Sequence, residues 1–343
     1  AAETGRRETR AAVSNGVWGG PLKGLEEAKP LPYADDFDYF CPACHASYPA
    51  TALVWRCRCG SHLELPLGPG LTTDQIDHGE PSLWRYRAAL PLATWPPAAY
   101  FGEGLTPLVK RRWGGCTVHF KLDYLFPSGS FKDRGSALLV NRLYELGVRA
   151  LHEDSSGNGG ASIATYCAAA GIACTIYTPA HTSPAKLVQI RAHGARLVRV
   201  PGTRQDTAEA AMAAADASFY AGHNWQPLFI EGVKTLAYEL WEQLGDAPDV
   251  IIAPIGYGST ILGLYRGFSE LRVAGAVTRL PRLIACQAAS CAAFVRAFEA
   301  GDAAAGVLRP EEVRPTVAEG VASLRPLRVR EVLKALAETQ GKA

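Results

Sequence analysis

From about residue 104 onward, short apolar runs alternate with segments in which apolar residues recur every three or four positions. The runs predict β-strands and the periodic segments predict α-helices. Glycines follow several of the periodic segments, for example Gly147, Gly171 and Gly194, as expected where helices end. Strict strand–helix alternation with short connections is typical of βαβ units, so the pattern predicts an α/β fold with a parallel sheet. The predicted strands are 117–122, 150–154, 173–178, 195–200, 218–221, 250–254 and 283–287, and the predicted helices are 135–146, 161–170, 184–193, 207–217, 231–244 and 261–271.

The first hundred residues lack this alternation. Residues 1–40 are polar, rich in Gly and Pro and without a sustained period, and they predict an N-terminal arm. Residues 41–66 hold four cysteines, Cys41, Cys44, Cys57 and Cys59. Spacings of Cys-x-x-Cys and Cys-x-Cys-Gly can direct four thiolates at one tetrahedral ion, so we expect a small four-cysteine zinc ribbon. Four thiolates leave no open coordination position, which makes the expected site structural; a ribbon without metal or with disulfides is the alternative.

Composition narrows the function classes. The 343 residues carry 35 Lys plus Arg against 33 Asp plus Glu, so the net charge of +2 gives no field that favours nucleic acid or an anionic membrane. No apolar stretch approaches the roughly 20 residues of a membrane span. We therefore expect a cytoplasmic enzyme of about two domains, with no nucleic-acid or membrane partner.

The first loop with candidate chemistry is the segment Pro-Ser-Gly-Ser-Phe-Lys-Asp-Arg-Gly at 127–135, which leads into a predicted helix. Lys132 stands where that helix starts. The helix dipole and partial burial would both lower the pKa of a lysine there, and a neutral amine can condense with an aldehyde. The alternative is an exposed lysine paired with Asp133.

Two further strand-to-helix loops are rich in glycine. Backbone N–H groups of the loop 155–160, Ser-Ser-Gly-Asn-Gly-Gly, would suit a carboxylate, although an ordinary turn explains the same composition. The loop 256–260, Gly-Tyr-Gly-Ser-Thr, would suit a phosphate. It lacks the third glycine of a dinucleotide fingerprint and the Gly-Lys-Ser/Thr of a P-loop. An amine, a carboxylate site and a phosphate site are together the parts that hold pyridoxal phosphate and an amino acid.

With these motifs in order, the chain resembles the threonine synthase branch of the fold type II (tryptophan synthase beta superfamily) pyridoxal-phosphate enzymes from about residue 41 to 335. The resemblance also rests on Gly-Glu-Gly-Leu-Thr-Pro-Leu at 102–108, Lys186, His-Asn-Trp at 223–225 and Glu-Gly-x-Lys-Thr at 231–235. It implies that Lys132 carries the cofactor and moves protons, and that Asn158 meets the ring hydroxyl. It further implies a phosphate site of Gly256, Tyr257, Gly258, Ser259 and Thr260, a carboxylate site of Ser155, Ser156, Gly157 and Gly159, and a leaving-group side formed by Lys186 and Asn224.

The implied architecture has a large cofactor-binding lobe, residues 67–136 and 223–343, and a smaller mobile lobe, residues 137–222, in a chain that is commonly a homodimer. The implied substrate is O-phospho-L-homoserine, converted with water to L-threonine and phosphate. Its phosphate needs its own pocket, for which Arg134, Lys186, Asn224 and Lys234 are available in the sequence; a structural ion pair is the alternative for each of the three charged residues.

Gly159 departs from the family, in which threonine synthases usually have Thr after the loop Asn. This departure supports an alternative that keeps the cofactor: β-elimination or β-replacement, as in threonine or serine ammonia-lyases, diaminopropionate lyases or cysteate synthase-like enzymes. A third hypothesis is a zinc-ribbon binding module fused to an inactive domain; the intact Lys132 argues against it. The sequence leaves open the substrate, the oligomeric state, any effector and the partner of the pyridine nitrogen.

Overall fold

The structure is a computed structural model that describes residues 33, 35–155 and 157–343. Ser156 and most of the arm predicted at 1–40 lie outside the described residues. The strands are β1 (Asp38–Phe40), β2 (Ser47–Pro49), β3 (Leu108–Trp113), β4 (Cys116–Lys121), β5 (Ala150–Glu153), β6 (Ala173–Pro179), β7 (Arg196–Val200), β8 (Phe219–Tyr220), β9 (Val250–Pro254) and β10 (Arg282–Cys286).

The helices alternate with the strands from β4 onward, as the sequence predicts. They are α1 (Lys132–Glu145), α2 (Asn158–Ala170), α3 (Pro184–Ala192), α4 (Arg204–Ala213), α5 (Pro227–Val233), α6 (Thr235–Leu244), α7 (Ser259–Val273), α8 (Ala293–Ala300) and α9 (Val329–Glu338). No described helix is both long enough and apolar enough to cross a membrane.

The predicted parallel sheet is confirmed, in two pieces. Strands β7, β6, β5 and β8 form a four-stranded sheet in that order, and every neighbouring pair is parallel. Strands β9 and β10 form a separate parallel pair. Because all these strands are parallel, the loops that follow them within each piece leave from one edge of the sheet.

Two antiparallel pairs lie outside this pattern. Strand β4, predicted as the first strand of the alternation, pairs antiparallel with β3 in a hairpin whose register joins Trp113 to Cys116. Strands β1 and β2 form the second pair, next to the Cys quartet. The pattern of apolar residues did not predict β1, β2 or β3. Strands β1 and β2 have only three residues each, and β3 is basic and mostly exposed, so none of them shows apolar alternation.

Two apolar clusters make up most of the core. One contains the buried faces of α1 and α2 together with residues of the N-terminal module, such as Leu63. The other contains the faces of α6, α7 and α9 with strands β9 and β10. Helix α1 packs against both α2 and α5, so the helix that begins with Lys132 is held from two sides. The lobe boundaries 67–136 and 223–343 against 137–222 stay a prediction.

Several predicted boundaries were wrong. The single helix predicted at 231–244 is two helices, α5 and α6, that begin at Pro227 and meet at Lys234. Helix α4 lies three residues earlier at its start than the predicted 207–217, since Thr203 caps it and accepts a hydrogen bond from the Asp206 N–H. Helix α2 begins at Asn158, inside the glycine-rich loop, rather than at Ala161.

Candidate active site

A cavity of about 640 Å³ opens where the predicted loops meet. It brings together most of the residues that the sequence assigned to cofactor or substrate; Arg134 and Lys234 lie elsewhere, and Ser156 lies outside the described residues. The assigned residues that line it are Lys132, Ser155, Gly157, Asn158, Gly159, Lys186, Asn224, Gly256, Tyr257, Gly258, Ser259 and Thr260.

Lys132 is the first residue of α1 and reaches the cavity between two aromatic rings. Its Nζ lies 4.6 Å from the centre of the Phe131 ring and 5.6 Å from that of Phe229. Burial lowers the pKa of Lys132 to about 8, and the negative charge of Glu153 partly opposes that shift. Asp133 does not pair with the lysine: its carboxylate accepts hydrogen bonds from the backbone N–H and the hydroxyl of Ser128. The alternative of an exposed Lys132–Asp133 pair is therefore wrong.

The loop 155–160 needs glycine at two positions. A Cβ on Gly160 would lie 2.0 Å from the carbonyl oxygen of Ser155, and one on Gly159 would lie 2.6 Å from Cε1 of His223. The close approach lets the chain turn directly from β5 into α2, whose first residue is Asn158. The first N–H groups of a helix lack partners within it, and residues 157–159 line the cavity, so this end of α2 suits an anion such as a carboxylate.

The loop 256–260 forms the opposite wall. Gly258 precedes α7 with φ of 99°, the left-handed region that glycine adopts without strain. A Cβ there would also lie 2.8 Å from a methyl group of Val332. The backbone of Gly256 is fixed by the hydroxyl of Ser323, which donates to its carbonyl oxygen at 2.7 Å. Two hydroxyls and the N-terminus of a 15-residue helix thus border the cavity here, as a phosphate requires.

Asn224 supplies an independent sign of a ligand. Its Oδ1 is buried and has no hydrogen-bond partner among the described residues, although the residue lines the cavity. A buried acceptor without a donor costs about 1–3 kcal/mol, so a donor is expected from a bound molecule. The residues present therefore fit an amino-acid substrate together with a phosphorylated aldehyde cofactor.

Sequence reasoning missed four polar residues of the cavity or its border. Arg204 lines it and pairs with Asp154 at 2.6 Å, and Glu319 lines it and pairs with Lys186. His223 lines it too, and its Nδ1 lies 2.9 Å from Oε1 of the buried Glu153. His223 stands in a quoted motif without a role. Glu153 carried only the weak signal of a carboxylate at the end of a strand.

Arg134 and Lys234 do not serve the cavity. Arg134 is fully buried and forms short contacts with Asp123 and Glu239, at 2.8 and 2.6 Å. Lys234 is equally buried and pairs with Glu231 and Glu270, at 2.6 and 2.9 Å. Both charges are neutralised by ion pairs inside the core, so neither residue is available to bind a substrate phosphate and the structural alternative holds for both.

The four cysteines of residues 41–66 converge. Sγ of Cys41 lies 3.5 Å from Sγ of Cys59, Sγ of Cys44 lies 3.4 Å from Sγ of Cys57, and all four sulfurs lie within 4.8 Å of one another. Tetrahedral zinc with bonds of about 2.3 Å would place its sulfurs roughly 3.8 Å apart. Burial would raise the pKa of Cys57, but hydrogen bonds from the Cys59 backbone and the Tyr48 hydroxyl lower it to about 6. The quartet thus has a metal site's geometry.

This four-cysteine module also touches the cavity loop. The ring of Trp55 packs edge-on against Tyr220 at 4.8 Å and against Trp225 at 5.3 Å. Arg328 donates to the backbone carbonyls of both Leu63 and Trp225. The module therefore supports the segment that carries His223 and Asn224.

Comparison with protein families gives a match between residues 100–343 and the family described as pyridoxal-phosphate dependent enzyme. Among curated proteins, the threonine synthase of Mycobacterium bovis is 38% identical over 218 residues, which cover 61% of this chain and 60% of that protein. The threonine synthase of Methanosarcina acetivorans is 30% identical over 315 residues, covering 88% of this chain and 76% of that protein.

Solved structures give the same fold. The threonine deaminase of T.th. superposes with a TM-score of 0.53 at 25% identity, over 66% of this chain and 73% of that one. Maize serine racemase superposes with a TM-score of 0.56 at 21% identity, over 66% and 69%. The chain thus has the fold of these enzymes.

Proposed function

Because the chain belongs to the family of pyridoxal-phosphate-dependent enzymes, we propose that it removes a leaving group from an amino acid by the reaction of a threonine synthase. In that reaction O-phospho-L-homoserine and water give L-threonine and phosphate. The observation that carries the proposal is the position of Lys132, an amine with a pKa of about 8 at the cavity where two glycine-rich helix N-termini meet. The relatives named threonine synthase support the choice of reaction.

The cofactor would be held by residues of three loops. The amine of Lys132 would attach its aldehyde, and the N–H groups and hydroxyls of residues 256–260 would hold its phosphate, with Asn158 beside the ring. When bound, pyridoxal phosphate supplies an electron sink that weakens the bonds at the substrate's Cα.

The remaining steps belong to side chains of this protein. The N-terminus of α2 would bind the substrate's carboxylate and fix its orientation. The Nζ of Lys132, displaced by the substrate's amine, would then take the proton from Cα, because a neutral amine is the base that this step needs. Nζ lies against the rings of Phe131 and Phe229, and burial lowers its pKa to about 8, so about half of the amine is neutral at pH 8.

A second candidate is β-elimination or β-replacement in the same cavity. The observation that favours it is the absence of room for a side chain at residue 159, where His223 occupies the space. In this chain the wall beside residue 159 is the His223 ring rather than a Thr side chain. A substrate whose leaving group is one carbon closer to Cα would meet this different wall.

We further propose that the four cysteines hold a structural zinc ion, which their spacing and the convergence of their sulfurs support. A homodimeric, cytoplasmic protein without nucleic-acid or membrane partners stays a prediction of the sequence.

The test combines spectroscopy with product analysis. The purified protein is loaded with pyridoxal phosphate and titrated with O-phospho-L-homoserine while visible absorbance, phosphate and threonine are measured. We expect the absorbance to shift as both products appear; Lys132→Ala should yield neither product, and the exposed-hairpin variant Lys110→Ala should behave as wild type. A shift without products, followed by an oxo acid from L-serine or L-threonine, would favour β-elimination. No absorbance band in the loaded protein would contradict both.

A further inference from the structure

We infer that His223, oriented by Glu153, is the residue that meets the substrate's leaving group and gives it a proton. The inference rests on the proposed function, because it assigns a role within the same cavity. It concerns substrates whose leaving atom is an oxygen that departs poorly without a proton, such as a phosphate ester or a hydroxyl.

The first support is the pairing of the two side chains. Nδ1 of His223 lies 2.9 Å from Oε1 of Glu153, and the backbone N–H of His223 donates to Oε2 at 3.1 Å. A carboxylate only accepts hydrogen bonds, so Nδ1 carries a proton and Nε2 is the nitrogen left for exchange. Nε2 has no hydrogen-bond partner among the described residues, and His223 lines the cavity. A base oriented by a buried carboxylate is a common arrangement for acid–base catalysis.

The second support is the missing side chain at residue 159. A Cβ on Gly159 would lie 2.6 Å from Cε1 and 2.8 Å from Nδ1 of His223. The imidazole therefore forms the part of the cavity wall that a side chain at 159 would otherwise form. A hydroxyl such as that of threonine does not release a proton near neutral pH, whereas an imidazolium N–H can donate one. The presence of the His223 ring in place of a side chain at residue 159 therefore puts a proton donor at this part of the cavity wall.

The third support is the position of the ring relative to Lys132. The ring of His223 lies 5.3 Å from that of Phe229, and Nζ of Lys132 lies 5.6 Å from the same Phe229 ring. Both groups therefore lie close to the same aromatic ring. This suits a mechanism in which Lys132 acts at Cα and His223 acts at the leaving group. The other cations of the described lining are engaged, since Lys186 pairs with Glu319 and Arg204 pairs with Asp154.

The step balances without an added reactant. The proton on Nε2 passes to the leaving oxygen as the carbon–oxygen bond breaks, and the electron pair of that bond departs with the oxygen. His223 remains as neutral imidazole, and its Nδ1–H still donates a hydrogen bond to Glu153. It regains a proton at Nε2 from the water that supplies hydroxide to the product in the threonine synthase reaction, or from solvent water in a β-elimination.

The test compares leaving groups that do and do not need a proton. O-phospho-L-homoserine releases phosphate, and 2-amino-4-chlorobutanoate has the same carbon skeleton but releases chloride; for β-chemistry the pair is O-phospho-L-serine and β-chloro-L-alanine. For His223→Gln, kcat for the phosphate ester should fall about 100-fold or more, while kcat for the chloride should fall less than about fivefold. Glu153→Gln should show the same selectivity with smaller losses.

The control is His152→Gln, which removes another buried histidine from β5, one whose ring nitrogens contact Ser218 and the carbonyl of Ala211. It should affect both substrates equally. Equal losses for both substrates in His223→Gln, or no loss, would overturn this inference alone. A wild-type protein that releases neither phosphate nor chloride would overturn the proposed function, and the inference with it.

A second measurement does not depend on turnover. Because the ring of His223 occupies the space beside Gly159, Gly159→Ala should lower the melting temperature of the wild-type protein by a few degrees and lower that of His223→Ala much less. Equal losses in the two backgrounds would show that the ring does not form this wall, and would overturn the inference.

Discussion

The low pKa of Lys132 can be measured directly in the protein without cofactor. Burial lowers this pKa from 10.5 to about 8. At pH 7 a pKa of about 8 leaves about 9% of the amine neutral, against about 0.03% for an ordinary lysine, a roughly 300-fold difference in the reactive form. At pH 7 Lys132 should therefore react with an aldehyde or acylating reagent much faster than a lysine with the ordinary pKa of 10.5.

Competitive acetylation across pH 6 to 11, followed by digestion and mass spectrometry, gives the titration midpoint, with exposed Lys110 as an internal reference for the reagent. We expect a midpoint near 8 for Lys132. Glu153→Gln should move it lower, because the negative charge that raises the pKa is lost. Phe131→Ser should move it higher by admitting water. A wild-type midpoint near 10.5, or an upward shift in Glu153→Gln, would refute the reasoning.

Three further predictions concern stability and metal. In the cofactor-free protein Lys132 should make the unfolding free energy rise from pH 8 to 10.5, because over that range it is mostly neutral in the folded state and mostly protonated in the unfolded state. Urea titrations should show that Lys132→Met loses this contribution. Arg134→Met should cost up to about 3 kcal/mol in the same assay, because it removes the guanidinium that pairs with the buried Glu239 and leaves that carboxylate only Lys121 as a cationic partner; adding Glu239→Gln should recover part of the loss. Cys57→Ser should lose stoichiometric zinc by elemental analysis, whereas exposed Cys286→Ser should keep it; zinc retained by Cys57→Ser would contradict the site.

Much of the central fold follows from the sequence because several of its strands are short apolar runs and several of its helices are followed by glycine. Strand β9 has the predicted bounds, since five apolar residues before a glycine-rich turn leave little choice. The errors have local causes. The helix predicted at 207–217 lies too far along the chain, because the Thr203–Asp206 capping box starts α4 at Arg204. Lys234 looked like an interior helix position and is where α5 gives way to α6.

The cavity was predictable in outline because ligands of parallel sheets bind beyond the carboxyl ends of strands, and residues 155–160 and 256–260 each follow such a strand. Strands β5 and β9 lie in separate sheets, so topology alone does not bring the two loops together; the family resemblance predicted that they meet. Side-chain pairing was not predictable. Glu153 and His223 are 70 residues apart in the chain, and their contact depends on how β8 pairs with β5. The fate of Arg134 likewise depends on Asp123 and Glu239, which no spacing rule connects.

The position of the cofactor on the chain is the central claim, and chemical trapping tests it most directly. The protein loaded with pyridoxal phosphate is reduced with borohydride, digested and mapped by mass spectrometry. The account predicts one modified residue, Lys132, and its protection from modification when substrate is added before the reductant. Attachment at Lys186 or Lys234, or no stable attachment, would contradict the account.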